Sequence, residues 1–597
     1  MGVKGLTSYV RRSPNSFADY VDLSSVAASS IDKKVRLAVD GYAFCYHLLE
    51  QESRLGQESV DPLFLRWGGD YPTITQAIRA YVSRMRAASV EPLFVFDGMQ
   101  DPEKIHTSIQ RREKDILKGN AAYHMVKCGD NSALTDVLLP IFITETFMEV
   151  FQEEEVFWMR SEREADADLV SLCASHGCIA VLSNDSDFLI FDVPGLIPFW
   201  AFDLSDNGAH AYIFSRLPKR SKLKHSSSLA MVDPAANFLT QFYDGNDMEL
   251  CIHLFPFLEK KAGPQSKATR CTKRGLEFKK ALGLAKLHYQ VESMKSGSKL
   301  NLGAAMPVES EQVYKDRSFW YKVIIENQKD FPIFELMDRI RLGWYSLLFK
   351  DEILKTGSAD GVEVVEYRRK KGRIKRSSVK CSELENIDAI LLSADPLEAC
   401  CKIFGIEEKL QMIYSLEHSL KSIGCVLAIY LDLLLQEVDE MEGLGASDEV
   451  GLATFALVAT CPSDNQRETI KEELERHVNF LSSNTAPEWF LEEWTKLQVV
   501  VLHVNLVLHA AGLKEFILSP TALSCRLAHT VFTFISNSPG DEDYCHHPGK
   551  ILEGIIRASS TFIYLEGKGQ GSLDTKLEQE ELKNWKDSAH AVMQIVY

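Results

Sequence analysis

The sequence predicts an α/β fold, with a largely parallel sheet flanked by helices, followed by a mostly α-helical C-terminal region. Three observations carry this. Short, almost wholly apolar runs alternate with helical periodicity through the first 250 residues, as in a sheet covered on both faces. Three of those runs end in an aspartate, at Asp40, Asp97 and Asp185. After about residue 290 the strand-like runs give way to helical stretches.

Taken in order, Val35-Arg36-Leu37-Ala38-Val39-Asp40 reads as a strand, with helical periodicity from near Ala43. Residues 73–88 are helical and precede the strand Pro92-Leu93-Phe94-Val95-Phe96-Asp97. Helical segments at 101–125 and 135–151 follow, then a strand at 156–159 and a helix at 164–175. Cys178-Ile179-Ala180-Val181-Leu182, bounded by Gly177 and Ser183, is the next buried strand. A polar Gly/Ser-bearing stretch at 293–310 reads as a connector, and helices are expected beyond it at 334–349, 407–420 and 489–509. The expected division is 1–290 for the α/β domain, 291–385 for a connector with helices and a basic segment, and 386–597 for a helical domain.

The bulk properties bound the function. A chain of 597 residues predicts two to four domains, and 45% apolar with 25% charged residues is ordinary for globular protein. No segment reaches the roughly 18 uninterrupted apolar residues of a membrane span, so no membrane partner is expected. The opening residues lack the apolar core of a signal peptide, and Leu6 stands where lipidation wants Ser or Thr. Thirteen scattered cysteines without a Cys-x-x-Cys pair predict reduced intracellular thiols, with neither disulfides nor zinc. A net charge of −18 argues against indiscriminate nucleic-acid binding. Residues 216–280 nevertheless carry thirteen Lys/Arg against six Asp/Glu.

The chemistry concentrates around Ser183-Asn184-Asp185-Ser186-Asp187. If extended, Asp185 and Asp187 point to one side, and two like charges that close call for a cation between them. Asp40 and Asp97 end two other strands, at the sheet edge where open α/β folds bind ligands. Glu164, Asp166 and Asp247 enlarge the set. Oxygen-only ligands favour Mg²⁺ or Mn²⁺, and a set this large suggests two ions about 4 Å apart, arranged for phosphoryl displacement. Singly, each acid has a blander reading as a helix cap, a turn former or the acidic first turn of a solvated helix. Caps alone do not account for all of them on one edge.

Met1-Gly2-Val3-Lys4-Gly5-Leu6, Val39-Asp40-Gly41-Tyr42, Phe96-Asp97-Gly98, Ser161-Glu162-Arg163-Glu164-Ala165-Asp166 and Ser183-Asn184-Asp185-Ser186-Asp187, in that order, resemble the flap endonuclease/XPG nuclease family. Arg66-Trp67-Gly68-Gly69-Asp70-Tyr71 and Asn184-Asp185-Ser186-Asp187-Phe188 look most like its asteroid branch. The resemblance covers roughly residues 1–250. It implies a PIN-like domain with two Mg²⁺ ions, for which Mn²⁺ substitutes. Asp40, Asp97, Glu164, Asp166, Asp185, Asp187 and Asp247 match the family's metal-binding acids. Lys104 and Arg111 match its phosphate-contacting cations, on the helix that borders the active site, and would act in catalysis with Asp185. Tyr46 stands where a family aromatic stacks on a base. Arg112, Lys260, Lys261, Lys273 and Arg274 complete the expected nucleic-acid contacts. The alternative for Lys104 and Arg111 is a solvated helix face, and for Tyr46 core packing beside Phe44 and Leu48. A rival register, Glu162-x-Glu164, competes with Glu164-x-Asp166. Two departures stand out: Asp166 replaces a glutamate, and no Gly-rich helix–two-turn–helix follows Asp247.

The resulting expectation is a Mg²⁺-dependent structure-specific DNA endonuclease, cutting single-stranded, flap or overhang DNA in repair. Two alternatives stay open: a catalytically lapsed scaffold in protein interaction or receptor (EGF receptor-type) signalling, with partners on the C-terminal helices, and an RNA-cutting relative. No sliding-clamp box is seen near the C-terminus. The run Arg368-Arg369-Lys370-Lys371-Gly372-Arg373-Ile374-Lys375-Arg376 reads as a nuclear localisation signal, a phosphate-binding arm or a disordered solvated loop. A nuclear location is expected.

Overall fold

The computed structural model describes residues 18–54, 64–128, 138–189, 191, 193–205, 208–214, 306–437, 488–529, 588 and 591. The chain begins with β1 (Ala18–Asp22), α1 (Leu23–Ser29), β2 (Val35–Asp40), α2 (Gly41–Arg54), α3 (Tyr71–Ala87) and β3 (Val90–Phe96). It continues through α4 (Ile105–Lys127), α5 (Ile143–Glu153), β4 (Trp158–Arg160), α6 (Asp166–His176) and β5 (Ala180–Leu182). Then come β6 (Leu196–Ile197), β7 (Phe202–Ser205), β8 (Gly208–Phe214), α7 (Val308–Asp316), β9 (Ser318–Trp320) and α8 (Asp338–Leu348). The described part closes with β10 (Glu363–Lys370), β11 (Arg373–Lys380), α9 (Pro396–Phe404), α10 (Lys421–Glu437) and α11 (Glu488–Ala510). Two compact units emerge: residues 1–48, 77–101 and 148–305, and residues 49–76, 102–147 and 306–597.

The first unit holds a sheet ordered β1-β8-β6-β5-β2-β3-β4, with β7 beside β8. From β6 to β4 every pairing is parallel, and β8 pairs antiparallel with β1, β6 and β7. Apolar residues on both faces of β3 explain its central place. Leu93 and Val95 pack in a core with Leu169, Leu172 and Cys173 of α6. Phe94, pointing the other way, stacks on Phe151 at 4.2 Å and packs against Phe44 at 5.0 Å. The α/β class expected from the sequence is the class found. Strands β1 and β6 to β8 extend the sheet beyond the runs that periodicity had singled out; β6 has only two residues and no readable pattern.

The second unit contains most of the described helices and a small sheet ordered β11-β10-β9. Helix α4 covers one face of it: Ile116 joins Trp320, Tyr367 and Ile374 in one cluster, with Ile105 and Ile109 packed alongside. Trp320 stacks flat on Tyr367 at 3.9 Å. Under the other face lies a buried ion pair, Arg341 Nε to Glu366 Oε1 at 3.0 Å, with the Tyr345 hydroxyl donating to the same oxygen at 2.8 Å. The disordered-loop reading of residues 368–376 is therefore overturned. That stretch forms the hairpin of β10 and β11, because alternate side chains, Tyr367 and Ile374 among them, are buried.

The helix expected at 407–420 is also broken, into short turns and Leu410–Ser415. The Lys421 ammonium takes the carbonyls of Ile413 and Tyr414 at 3.1 and 2.9 Å, and Leu416 is extended. Among the described residues, no helix is long and apolar enough to cross a membrane.

The Arg66–Tyr71 signature has a structural role within this unit. The Gly68 carbonyl accepts from Trp494 Nε1 at 2.8 Å and Gln498 Nε2 at 3.0 Å, both on α11. The Tyr71 hydroxyl donates to Gln498 Oε1 at 2.6 Å. Asp70, 1% exposed, accepts from Ser524 Oγ at 2.8 Å, the Arg526 backbone amide at 3.2 Å and Thr73 Oγ1. Replacing Asp70 with alanine strands these donors in a buried setting and is expected to cost about 3 kcal/mol. The check is amide exchange in α11 and residues 524–527, which should accelerate markedly. Unchanged protection there would refute the role.

Candidate active site

The parallel register places the candidate acids at one level. Val39 lies opposite Phe94 and Leu182, and Phe96 lies opposite Arg160. Asp40 ends β2, Asp97 follows β3, and Ser183 and Asp185 follow β5, all at the C-terminal edge of the sheet. Hydrogen bonds then join the loops. Ser183 Oγ donates to Asp40 Oδ2 at 2.7 Å and accepts from the Asp185 amide at 3.1 Å, so one buried hydroxyl ties two of the acids together. Asn184 Oδ1 accepts from the Phe199 amide at 3.1 Å and anchors the same turn. On the other side, the Gly98 amide donates to the Arg163 carbonyl and the Met99 amide to the Glu162 carbonyl at 2.9 Å. Asp97 Oδ1 accepts from the Ala165 amide at 2.7 Å, at the start of α6. These contacts draw Asp97 towards Glu164 and Asp166.

The electrostatics show the same convergence. Burial raises the Asp166 carboxyl well above the ordinary aspartate range, and the charges of Asp185, Asp97, Asp40 and Glu164 push it further in that order. Asp40 is raised too, chiefly by burial and then by Asp185, against the lowering effect of its bonds from Ala43 and Ser183. Both residues keep some accessible surface although their carboxyl groups are packed round. Glu162 is exposed and offers its backbone carbonyl to the loop contact instead. Glu164 thus stands within electrostatic reach of Asp166. The cap readings are also realised: Asp40 Oδ1 accepts from the Ala43 amide at 3.0 Å at the start of α2, while Oδ2 faces Ser183. Capping and membership of the cluster coexist in one carboxylate.

The remaining candidates are placed as follows. The side chain of Asp187 and all of Asp247, Lys260, Lys261, Lys273 and Arg274 lie outside the described residues. Tyr46 is 43% exposed on α2, whereas Phe44 and Leu48 are fully buried, so Tyr46 is no part of that core. Lys104, Arg111 and Arg112 belong to the second unit. Lys104 is half-buried ahead of α4 and Arg111 is exposed on it. Arg112 donates to the Tyr321 carbonyl at 3.2 Å with its guanidinium 5.1 Å from the Trp320 ring centroid, a packing role that sequence spacing did not reveal. Ser183 and Gly98 were missed as site residues. Their place inside the motifs was the only signal available.

Among the described residues, no three Asp, Glu, His or Cys side chains are gathered closely enough to hold a metal ion as they stand. The described acids share one edge without closing into a cage. As donors they suit a hard divalent cation: oxygen only, mutually repelling and, apart from exposed Asp97, partly buried where described.

Residues 1–117 match the XPG N-terminal domain. The mouse protein named Single-strand DNA endonuclease ASTE1 is 30% identical over 194 residues, 32% of this chain and 25% of that protein. Its human counterpart is 30% identical over 204 residues, covering 34% and 26%. Protein asteroid of Drosophila melanogaster is 28% identical over 195 residues, covering 32% and 20%. The chain thus spans about a quarter of the length of the ASTE1 relatives. The resemblance to the asteroid branch of the XPG family, carried by the motifs, is borne out.

Proposed function

We propose that this chain is a divalent-metal-dependent endonuclease that hydrolyses phosphodiester bonds in single-stranded, flap or overhang DNA, with a role in repair. The observation that carries the reading is the burial of Asp166 among four other carboxylates at the C-terminal edge of a parallel sheet. It is supported by relatives named as single-strand DNA endonucleases.

Asp40, Asp97, Glu164, Asp166, Asp185, Asp187 and Asp247 would hold two Mg²⁺ ions, with Mn²⁺ able to replace them. Bound there, the ions would activate a water and neutralise charge on the leaving oxygen. The chain's own residues do the rest. Ser183 fixes Oδ2 of Asp40 and the backbone of Asp185. The strap between residues 98–99 and 162–163 sets where Asp97 stands relative to Glu164. By the family resemblance alone, Lys104 and Arg111 are assigned to charge stabilisation on the phosphate, and Tyr46 to stacking on a base.

A second reading has its own support. The human constitutive coactivator of peroxisome proliferator-activated receptor gamma, a protein not named as a nuclease, is 28% identical over 130 residues, 21% of this chain and 14% of that protein. Incubating the purified protein with labelled single-stranded, 5′-flap, 3′-flap and overhang DNA and with matched RNA separates the readings. Cleavage of DNA in Mg²⁺, abolished by EDTA, is expected. Intact substrates in both Mg²⁺ and Mn²⁺ would favour the scaffold, and cleavage confined to RNA would reassign the substrate.

A further inference from the structure

The hairpin of β10 and β11 carries cations where they cost stability. Register pairs Arg368 with Lys375 and Lys370 with Arg373, so two like-charge pairs face each other directly across the ribbon. Alternation puts all four side chains on one face, opposite the face of Tyr367 and Ile374 that meets α4. Directly opposed like charges, with Cβ atoms about 5 Å apart, destabilise a sheet. The two-residue turn adds a further penalty. Lys371 and Gly372 both have positive φ, 50° and 72°, and lysine occupies a position where asparagine or glycine is easier to accommodate.

Packing does not require these cations. Within the basic run, the structural work falls to Arg369, which is 5% exposed and paired with Glu326 at 2.7 Å, and partly to Arg368, held by Asp338 at 3.3 Å and Ser377 at 2.8 Å. Lys370, Arg373 and Lys375 are exposed and form no ion pair with any described residue. The neighbouring acids Asp338 and Glu366 pair with Arg368, and Glu335 lies within electrostatic reach of both Arg368 and Lys370.

We propose that this face of the hairpin, formed by Lys370, Arg373 and Lys375 with Arg368 at its base, binds the phosphate backbone of nucleic acid. Three features favour a nucleic acid over an acidic protein surface. No large apolar side chain of the hairpin is exposed to serve as the anchor a protein interface uses. The cations repeat about 7 Å along each strand, which suits a regularly charged polymer. The chain as a whole is acidic, with a net charge of −18, so affinity for a polyanion must come from local patches such as this one. The inference concerns binding alone and does not depend on cleavage.

The test measures fluorescence anisotropy of labelled single-stranded and duplex oligonucleotides with the full chain in EDTA, where no hydrolysis occurs. Replacing Lys370, Arg373 and Lys375 together with threonine should weaken binding about tenfold and lower the slope of log affinity against log salt by about 2. Thermal stability should hold or rise, since repulsion is relieved. The double variant Lys370→Arg with Lys375→Arg should keep wild-type affinity. An unchanged affinity and salt slope in the threonine variant overturns the proposal. So does weakened binding in the arginine variant, or equal competition by polyglutamate, which would assign the face to acidic protein.

Discussion

Asp185→Ala is expected to reduce DNA cleavage by at least about a thousandfold while leaving the fold intact. The size follows from what the carboxylate does. It lies among the charges that raise both Asp40 and Asp166, so it faces both sides of the acid cluster. Losing one such group from a site that stabilises developing charge removes several kcal/mol from the transition state. The turn itself does not need the side chain, because the Asp185 backbone amide makes the bond to Ser183 Oγ. Removing one of several repelling carboxylates should therefore leave the melting temperature unchanged or slightly higher. The combination is diagnostic: lost turnover, retained DNA binding and undiminished stability. A rate within tenfold of wild type would mean that the acids form a structural cluster, and the nuclease reading would fail with it.

The acids and their strands were legible because both signals are local. A parallel strand covered on both faces must be apolar throughout, so Val35–Asp40 and Ala180–Leu182 stand out. An aspartate closing each of them is visible in the same few residues. What joins the loops was not legible. Ser183 is one serine in a polar turn, and only the register of β2 beside β5 brings its hydroxyl to Asp40. Arg112 failed for the opposite reason. Its place beside Arg111 on a charged helix suggested a solvent-facing cation, whereas the sheet β9–β11, far away in sequence, supplies Trp320 and the Tyr321 carbonyl. The hairpin was hidden by its own charges. Seven cations in nine residues look like a solvated run until alternate burial of Tyr367, Arg369 and Ile374 is seen.

Gly98 shows how tightly the loops must meet, and Gly98→Ala is expected to be the most damaging single-methyl change in the site. An added Cβ would lie 1.9 Å from the Ser161 carbonyl oxygen and 2.5 Å from that of Glu162. Both obstacles are backbone, so no rotamer change relieves the clash, and the loops must part by roughly 1.5 Å to reach ordinary contact. That opening breaks the amide bonds from Gly98 and Met99 to Arg163 and Glu162. Two backbone hydrogen bonds lost without replacement cost about 2 kcal/mol. The displacement also carries Asp97 away from Ala165, and with it from Glu164 and Asp166. Misplacement on that scale costs about a hundredfold in rate. Gly177→Ala is the control. Gly177 ends α6 with φ of 65°, and an added methyl there would meet nothing within 4 Å, so only local backbone strain of about 1 kcal/mol follows. If both variants lose stability to the same small extent and cleave alike, the contact between the loops does not set the position of Asp97. A large loss of rate in Gly98→Ala alone means that the acid cluster is built by loop-to-loop backbone contact as much as by the strands that carry it.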